Sequence, residues 1–175
     1  MEILKMIVAL LTLALILSSC TPTDERALDY QNYPFSALIS FELDGQTATA
    51  RLSVSPVGES DKNIKLEFTS PDSLSGLIIE RSFGKTYAHL GDLVFFGSTC
   101  ESYLNLAELF CIEGKISEIQ AEKIGTTDTT RLTIITDSSD IYRVYLTQNG
   151  EPRRIISEKS GKRFVLDILA FECAK

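Results

Sequence analysis

The sequence predicts a mainly β domain of the α+β class: a curved antiparallel sheet of about ten strands covered by one helix. Short segments in which apolar and polar residues alternate with period two recur between residues 35 and 171. Turn-forming pairs such as Asp44-Gly45 and Asn149-Gly150 separate these segments. One stretch, 98–113, has helical periodicity instead.

The composition is that of a globular protein and excludes several functions. The chain has 175 residues, 44% of them hydrophobic and 23% charged, which excludes disordered and collagen-like classes. A net charge of −7 excludes nucleic-acid binding by bulk positive charge. One histidine and no tryptophan leave little material for metal sites or a Ser-His-Asp triad. We therefore expect no metal, no cofactor and no catalytic residue.

The N-terminal segment is typical of an export signal. An apolar run from Met6 to Leu17, interrupted by Thr12, follows a weakly positive head. As a helix this run would extend about 18 Å, short of the roughly 30 Å hydrocarbon core of a bilayer. The pattern therefore predicts a signal-peptide helix in residues 1–19 rather than a transmembrane helix.

The signal ends in Leu17-Ser18-Ser19-Cys20, which resembles the lipobox of bacterial lipoproteins: an aliphatic residue, two small residues and a cysteine. The resemblance implies cleavage between Ser19 and Cys20, with a diacylglycerol and acyl chains such as palmitate on Cys20. Two or more acyl chains hold a protein on a bilayer. We therefore expect an extracytoplasmic protein anchored in a bacterial cell membrane. An ordinary signal peptide, in which Cys20 is incidental, is the alternative.

Behind the signal we expect a tether and one domain. Residues 20–32 hold the lipidated N-terminus and a polar, acidic stretch. Residues 33–175 contain no repeat, linker or low-complexity tract, so they form a single domain. The first hairpin joins Phe35–Leu43 to Ala48–Val54. The other expected strands are Ile64–Thr69, Leu77–Phe83, Thr86–Leu90, Asp92–Phe96, Leu132–Thr136, Ile141–Thr147, Arg153–Glu158 and Phe164–Phe171.

The segments on either side of Gly114 have different periodicities. In 98–113, Ser98 and Glu101 have the spacing of a capping box, and Gly114 suits the position after a helix end. The apolar stripe of this helix consists of Tyr103, Leu104, Ala107, Phe110 and Cys111. The first four of these residues either form the core side of the helix or line a lipid-sized cavity. The next segment, Lys115–Ile124, fits a strand or a helix, and the flanking glycines favour a strand.

Three cysteines remain in the body of the chain. Cys100 and Cys111 lie on the expected helix about 16 Å apart, whereas a disulfide needs Cα atoms within about 7 Å. Either the helix prediction is therefore wrong or this pair is not bonded. Cys173 could pair with either one if the C-terminal strand runs beside the helix. Otherwise all three are buried apolar thiols.

The other polar clusters have simple structural interpretations. His89 lacks a neighbouring nucleophile and acid, and Asp137 and Asp140 flank a turn. A basic cluster near the C-terminus either contacts anionic head groups or consists of solvated hairpin charges. Its members are Arg153, Arg154, Lys159, Lys162 and Arg163.

The layout is similar to that of the lipoprotein-carrier superfamily of the LolA, LolB and RseB type. The resemblance is carried by the lipobox, the hairpin 35–54, the strand 66–71 ending in proline, the helix after 92–96, and the turn 150–152. Small uncharacterised lipoproteins of clostridial-type bacteria look similar. The resemblance implies an open half-barrel with helices on its concave face. We expect a non-catalytic lipoprotein that binds lipid or another apolar ligand there, or else an interaction or sensor module with a filled core.

Overall fold

A computed structural model describes residues 28–43, 45–57, 61–82, 84–96 and 100–174. The expected signal helix, the lipobox and most of the expected tether lie outside these residues.

The described chain forms one open, curved antiparallel sheet of eleven strands, which confirms the predicted fold class. The ambiguous segment is a strand, as its flanking glycines indicated. The strands are β1 Phe35–Leu43, β2 Gln46–Val57, β3 Asp61–Ser70, β4 Leu77–Ser82, β5 Lys85–Leu90, β6 Leu93–Phe96, β7 Lys115–Ile124, β8 Thr127–Ile135, β9 Ile141–Leu146, β10 Pro152–Lys159 and β11 Lys162–Cys173.

The strand order is β6-β5-β4-β3-β2-β1-β11-β10-β9-β8-β7. The first six strands therefore form a meander from the centre of the sheet to one edge. The last five form a second meander, from the opposite edge back to β1. The chain between β6 and β7 crosses from edge to edge and carries helix α1, Glu101–Glu108.

The face that α1 covers, called the concave face below, carries the core. Residues directly opposite each other on neighbouring strands share a face, so the register defines apolar rows across the sheet. One row consists of Phe95, Ala88, Ile79, Leu66, Leu52 and Ala37. A second consists of Phe41, Leu166, Ile155, Val144, Leu132 and Ile119. Every member except the outermost, Phe95 and Ile119, is buried.

Helix α1 is shorter than the stretch 98–113 predicted from its periodicity. The residue before the helix is Cys100, whose side chain makes no capping hydrogen bond, and the residue after it is Leu109. Ser98, the expected cap, lies outside the described residues. The apolar stripe continues past the helix into a turn at Leu109 and Phe110. Periodicity alone therefore overestimated the length of the helix at its C-terminal end.

Gly114 does not follow the helix end, so its predicted role was wrong. It lies immediately before β7, where a Cβ atom would be 2.7 Å from the carbonyl oxygen of Ile135. A side chain would collide with the end of β8, so this close backbone approach requires glycine.

The N-terminal part of the described chain packs on the sheet. Asp29–Asn32 form a 3-10 turn, and Tyr30 is only 2% exposed. Its ring makes edge contacts with Phe35 and Phe171, at centroid distances of 6.5 and 5.6 Å. Burial raises the pKa of the Tyr30 hydroxyl. Within the stretch 20–32, the part from Leu28 onward therefore belongs to the folded domain.

Candidate functional site

The residues predicted to line a ligand cavity lie between α1 and the sheet. Leu104, Ala107 and Phe110 are buried, and Tyr103 is half-buried. The ring of Tyr103 meets that of Phe68 edge to face, with the centroids 5.7 Å apart. In the described part of the chain, these four side chains pack against the core.

The concave face extends beyond α1 on the side of β6, because the helix contacts mainly β3 and β4. Along the row that crosses these strands, Phe95 is 48% exposed, whereas Ala88 is 2% and Ile79 is 0% exposed. Leu90 and Leu93 lie opposite each other on the same face and are 41% and 60% exposed. Leu90, Leu93 and Phe95, called the β5–β6 wing below, form an apolar surface that is continuous with the core.

The opposite edge of the sheet is more polar. Ile119 of β7 is 39% exposed on the concave face, but four of the ten residues of the strand are charged. On the opposite face of β7 and β8, Glu118 and Glu122 contact the guanidinium of Arg131 at 2.9 and 3.2 Å. Charged side chains protect an edge strand against pairing with other chains. Among the described residues, the exposed large apolar side chains of the concave face are therefore concentrated at the β5–β6 wing.

A cationic residue borders this wing. Arg81 of β4 lies opposite Ile64 on one side and Thr86 on the other. Ile64 is buried on the concave face, so the register places Arg81 on that face too. Arg81 is half-buried. The candidate site thus combines an apolar surface with one positive charge at its border.

The polar groups singled out in the sequence have structural contacts. The Nε2 atom of His89 is 3.3 Å from the Oε1 atom of Glu80. Asp140 accepts a hydrogen bond from the hydroxyl of Ser138 and lies in the turn between β8 and β9. Within the described ranges, no three histidine, cysteine or acidic side chains form a group that could hold a metal ion.

The basic cluster is largely occupied by contacts within the domain. Arg154 pairs with Asp167 at 2.6 Å, and Lys159 lies 3.7 Å from Asp140. Arg153 donates a hydrogen bond of 2.6 Å to the carbonyl oxygen of Ile168, beside the bulge at which the register between β1 and β11 shifts. These contacts favour a structural role for most of the cluster.

The three cysteines of the domain are present as thiols. Cys100, Cys111 and Cys173 are not joined to one another by a disulfide, and they are half-buried rather than buried as expected. The Sγ atom of Cys173 lies 4.0 Å from the carbonyl oxygen of Tyr30.

No helix in the described part of the chain has the length and hydropathy needed to cross a membrane. No family model matches the sequence. No curated protein matches it either.

Solved structures, in contrast, share the fold. An uncharacterized conserved protein from Thermus thermophilus matches with a TM-score of 0.53 and 13% identity, over 86% of this chain and 85% of that protein. LprF from Mycobacterium bovis matches with a TM-score of 0.52 and 8% identity, over 86% and 93% of the two chains. MucB matches with a TM-score of 0.51 and 12% identity, over 89% of this chain and 61% of MucB.

Identities this low show the fold alone. The chain therefore has the open half-barrel architecture that the resemblance to the carrier superfamily implied. Sequence reasoning located β5 and β6 but did not single out the β5–β6 wing. The continuous apolar run Leu93–Phe96 was the available signal.

Proposed function

We propose that this protein is a membrane-anchored, extracytoplasmic lipoprotein without catalytic activity, which binds the acyl chain of a lipid at the β5–β6 wing. One observation carries the proposal. The row from Phe95 through Ala88 to Ile79 passes without a polar break from half-exposed to fully buried. An acyl chain lying along β5, over the outer end of this row, would cover exposed apolar side chains and contact the edge of the core.

The energetics favour such a ligand. Burial of apolar surface contributes about 0.8 kcal/mol per methylene group, so a fourteen-carbon chain gains on the order of 10 kcal/mol before entropic losses. Apolar contact alone is therefore sufficient for binding, and no catalytic group is needed.

The proposed anchor at Cys20 would keep the domain near the bilayer. The chain from Cys20 to Leu28 spans at most about 28 Å even when it is fully extended. A ligand site on the concave face would then lie within reach of the lipids of the outer leaflet.

Lipid content tests the proposed binding function. The chain from Thr21 onward, which contains every described element, is purified from a lipid-replete bacterial host and analysed by native mass spectrometry. We expect co-purified lipid and, after its removal, saturable binding of the neutral apolar probe N-phenyl-1-naphthylamine. A folded domain that carries no lipid and binds no probe would overturn the proposal.

A matched pair of variants locates the binding surface. Phe95 and Leu169 are both 48% exposed, but Leu169 lies on β11, away from the β5–β6 wing. Phe95→Ser is expected to weaken binding of the probe severalfold, whereas Leu169→Ser leaves it unchanged. Equal losses in both variants would count against a site at the wing.

The alternative is an interaction or sensor module. The close packing between α1 and the sheet favours this alternative function, because Leu104 and Phe110 are only 1% and 0% exposed. A lipid-free domain that is folded and also fails to take up the probe would favour this function.

A further inference from the structure

We propose that the ligand of the β5–β6 wing is an anionic amphiphile, and that the guanidinium of Arg81 binds its acidic head group. This inference rests on the proposed function, because it assigns the head group of the same lipid.

Arg81 lies on the concave face at the end of a row that also contains Phe35, Val54 and Ile64. Opposite it on β5 is Thr86, and Leu90 lies about 13 Å further along that strand at about 3.3 Å per residue. An amphiphile lying along β5 would therefore place its head at Arg81 and its tail at the β5–β6 wing.

The guanidinium of Arg81 has no acceptor among the residues that the structure describes. Five arginines are half-buried in the described part of the chain, and four of them have acceptors in other described residues. Arg131, Arg143 and Arg154 pair with carboxylates, and Arg153 donates to a carbonyl. The fifth, Arg81, forms no hydrogen bond or ion pair with any other described residue.

The physical chemistry connects these observations. Partial removal from water weakens the solvation of a guanidinium, and an unpaired charge in that position is unfavourable. The planar group binds a carboxylate or phosphate through two parallel hydrogen bonds. An anionic head group would accept hydrogen bonds from the guanidinium of Arg81, while the attached acyl chain covers the neighbouring apolar surface. Binding of the head group would therefore position the chain, and binding of the chain would position the head group.

The test compares ligands that differ in the head group. Displacement of N-phenyl-1-naphthylamine from the chain starting at Thr21 is measured at pH 8 with oleate, 1-oleoyl-lysophosphatidate and oleyl alcohol. We expect at least one of the two anions to bind about tenfold more tightly than the alcohol, which corresponds to about 1.4 kcal/mol. The stronger of the two identifies the head group as a fatty-acid carboxylate or a lipid phosphate.

Variants assign the preference to one side chain. Arg81→Gln is expected to remove the preference for anions and leave the affinity for oleyl alcohol within twofold, whereas Arg81→Lys retains part of it. Arg51→Gln, which changes an exposed arginine that lies opposite Leu38 and Glu67, should have no effect. Thermal unfolding of each variant verifies that it is folded.

The outcomes separate this inference from the proposed function. Equal affinity for the anions and the alcohol, or an unchanged preference in Arg81→Gln, overturns the role of Arg81 and leaves the apolar site intact. Failure of all three ligands to displace the probe overturns the proposed function together with this inference.

Discussion

Phe110 and Phe171 stack with their ring planes 9° apart and their centroids 6.5 Å apart. Phe110 follows α1 on the crossing segment, and Phe171 lies near the end of the last strand. Phe35 of β1 joins them, with its ring centroid 5.1 Å from that of Phe110. This contact fixes the crossing segment to the centre of the sheet.

The first prediction concerns this stack. Because Phe110 is fully buried, Phe110→Ala removes its packing and leaves a cavity, so we expect a loss of about 3–5 kcal/mol in the free energy of unfolding. Urea denaturation followed by circular dichroism measures it. Phe95→Ala makes the same change at a half-exposed ring and should cost less than half as much. Similar losses at both positions would contradict the assigned packing.

The second prediction concerns the dependence of stability on pH. Arg143 donates a hydrogen bond of 2.6 Å to Glu158, and this bond holds the pKa of Glu158 below its ordinary value of 4.5. The stabilisation is therefore present above the pKa of the unfolded state, which is close to that ordinary value, and is lost as the pH falls through the lower pKa of the folded state. Thermal unfolding of Glu158→Gln should show a lower melting temperature than the parent at pH 7. The difference between the two temperatures should shrink as the pH falls below 4, and a constant difference would count against this pairing.

The third prediction concerns Gly114. A methyl group there would lie 2.7 Å from the carbonyl oxygen of Ile135 and 2.8 Å from the Cγ2 atom of Ile134. Because a backbone atom is involved, β7 or β8 must shift, and we expect Gly114→Ala to destabilise the domain by about 1–3 kcal/mol. Denaturant unfolding measures the loss, and Glu113→Ala at the exposed neighbouring position is the control. A Gly114→Ala variant as stable as that control would rule out the proposed collision.

The fourth prediction concerns the proposed anchor. Cys20→Ala removes the thiol that would carry the diacylglycerol, so we expect the full chain to move from the membrane fraction to the soluble or secreted fraction. Fractionation and immunoblotting of cells that produce each form measure this. Intact mass of the processed parent should show the added acyl chains. A variant that fractionates with membranes as the parent does would contradict lipidation at this position.

Alternation in the sequence predicted most of the strands, because in a half-buried strand each residue shows by its polarity which face it occupies. The hairpin across Asp44-Gly45 follows directly from this, whereas only the flanking glycines favoured a strand over a helix for Lys115–Ile124. The C-terminal end of α1 could not be predicted from periodicity, because the apolar stripe continues beyond the helix to Phe110, which lies in a turn. Tertiary packing, which periodicity does not report, holds Phe110 in place.

The candidate site was less predictable than the fold. Leu93–Phe96 is a continuous apolar run, so the sequence does not tell which of its two alternating sets of side chains lies on the core face. The exposure of Phe95 depends on β6 lying at the edge of the sheet, beyond the cover of α1. That position follows from the order of all eleven strands. The position of Arg81 beside the wing depends on how β3, β4 and β5 pair. The local sequence pattern does not predict this pairing.

The most direct test of the central proposal is to locate a bound acyl chain by photolabelling. The chain from Thr21 onward is irradiated with a fatty acid that carries a diazirine on its tail, and the labelled residues are mapped by peptide mass spectrometry. The proposal predicts labels in β5 and β6, within 85–96, and their loss when unlabelled oleate is present in excess. Labels confined to the convex face or to the β7 edge, or labels that excess oleate does not reduce, would contradict it.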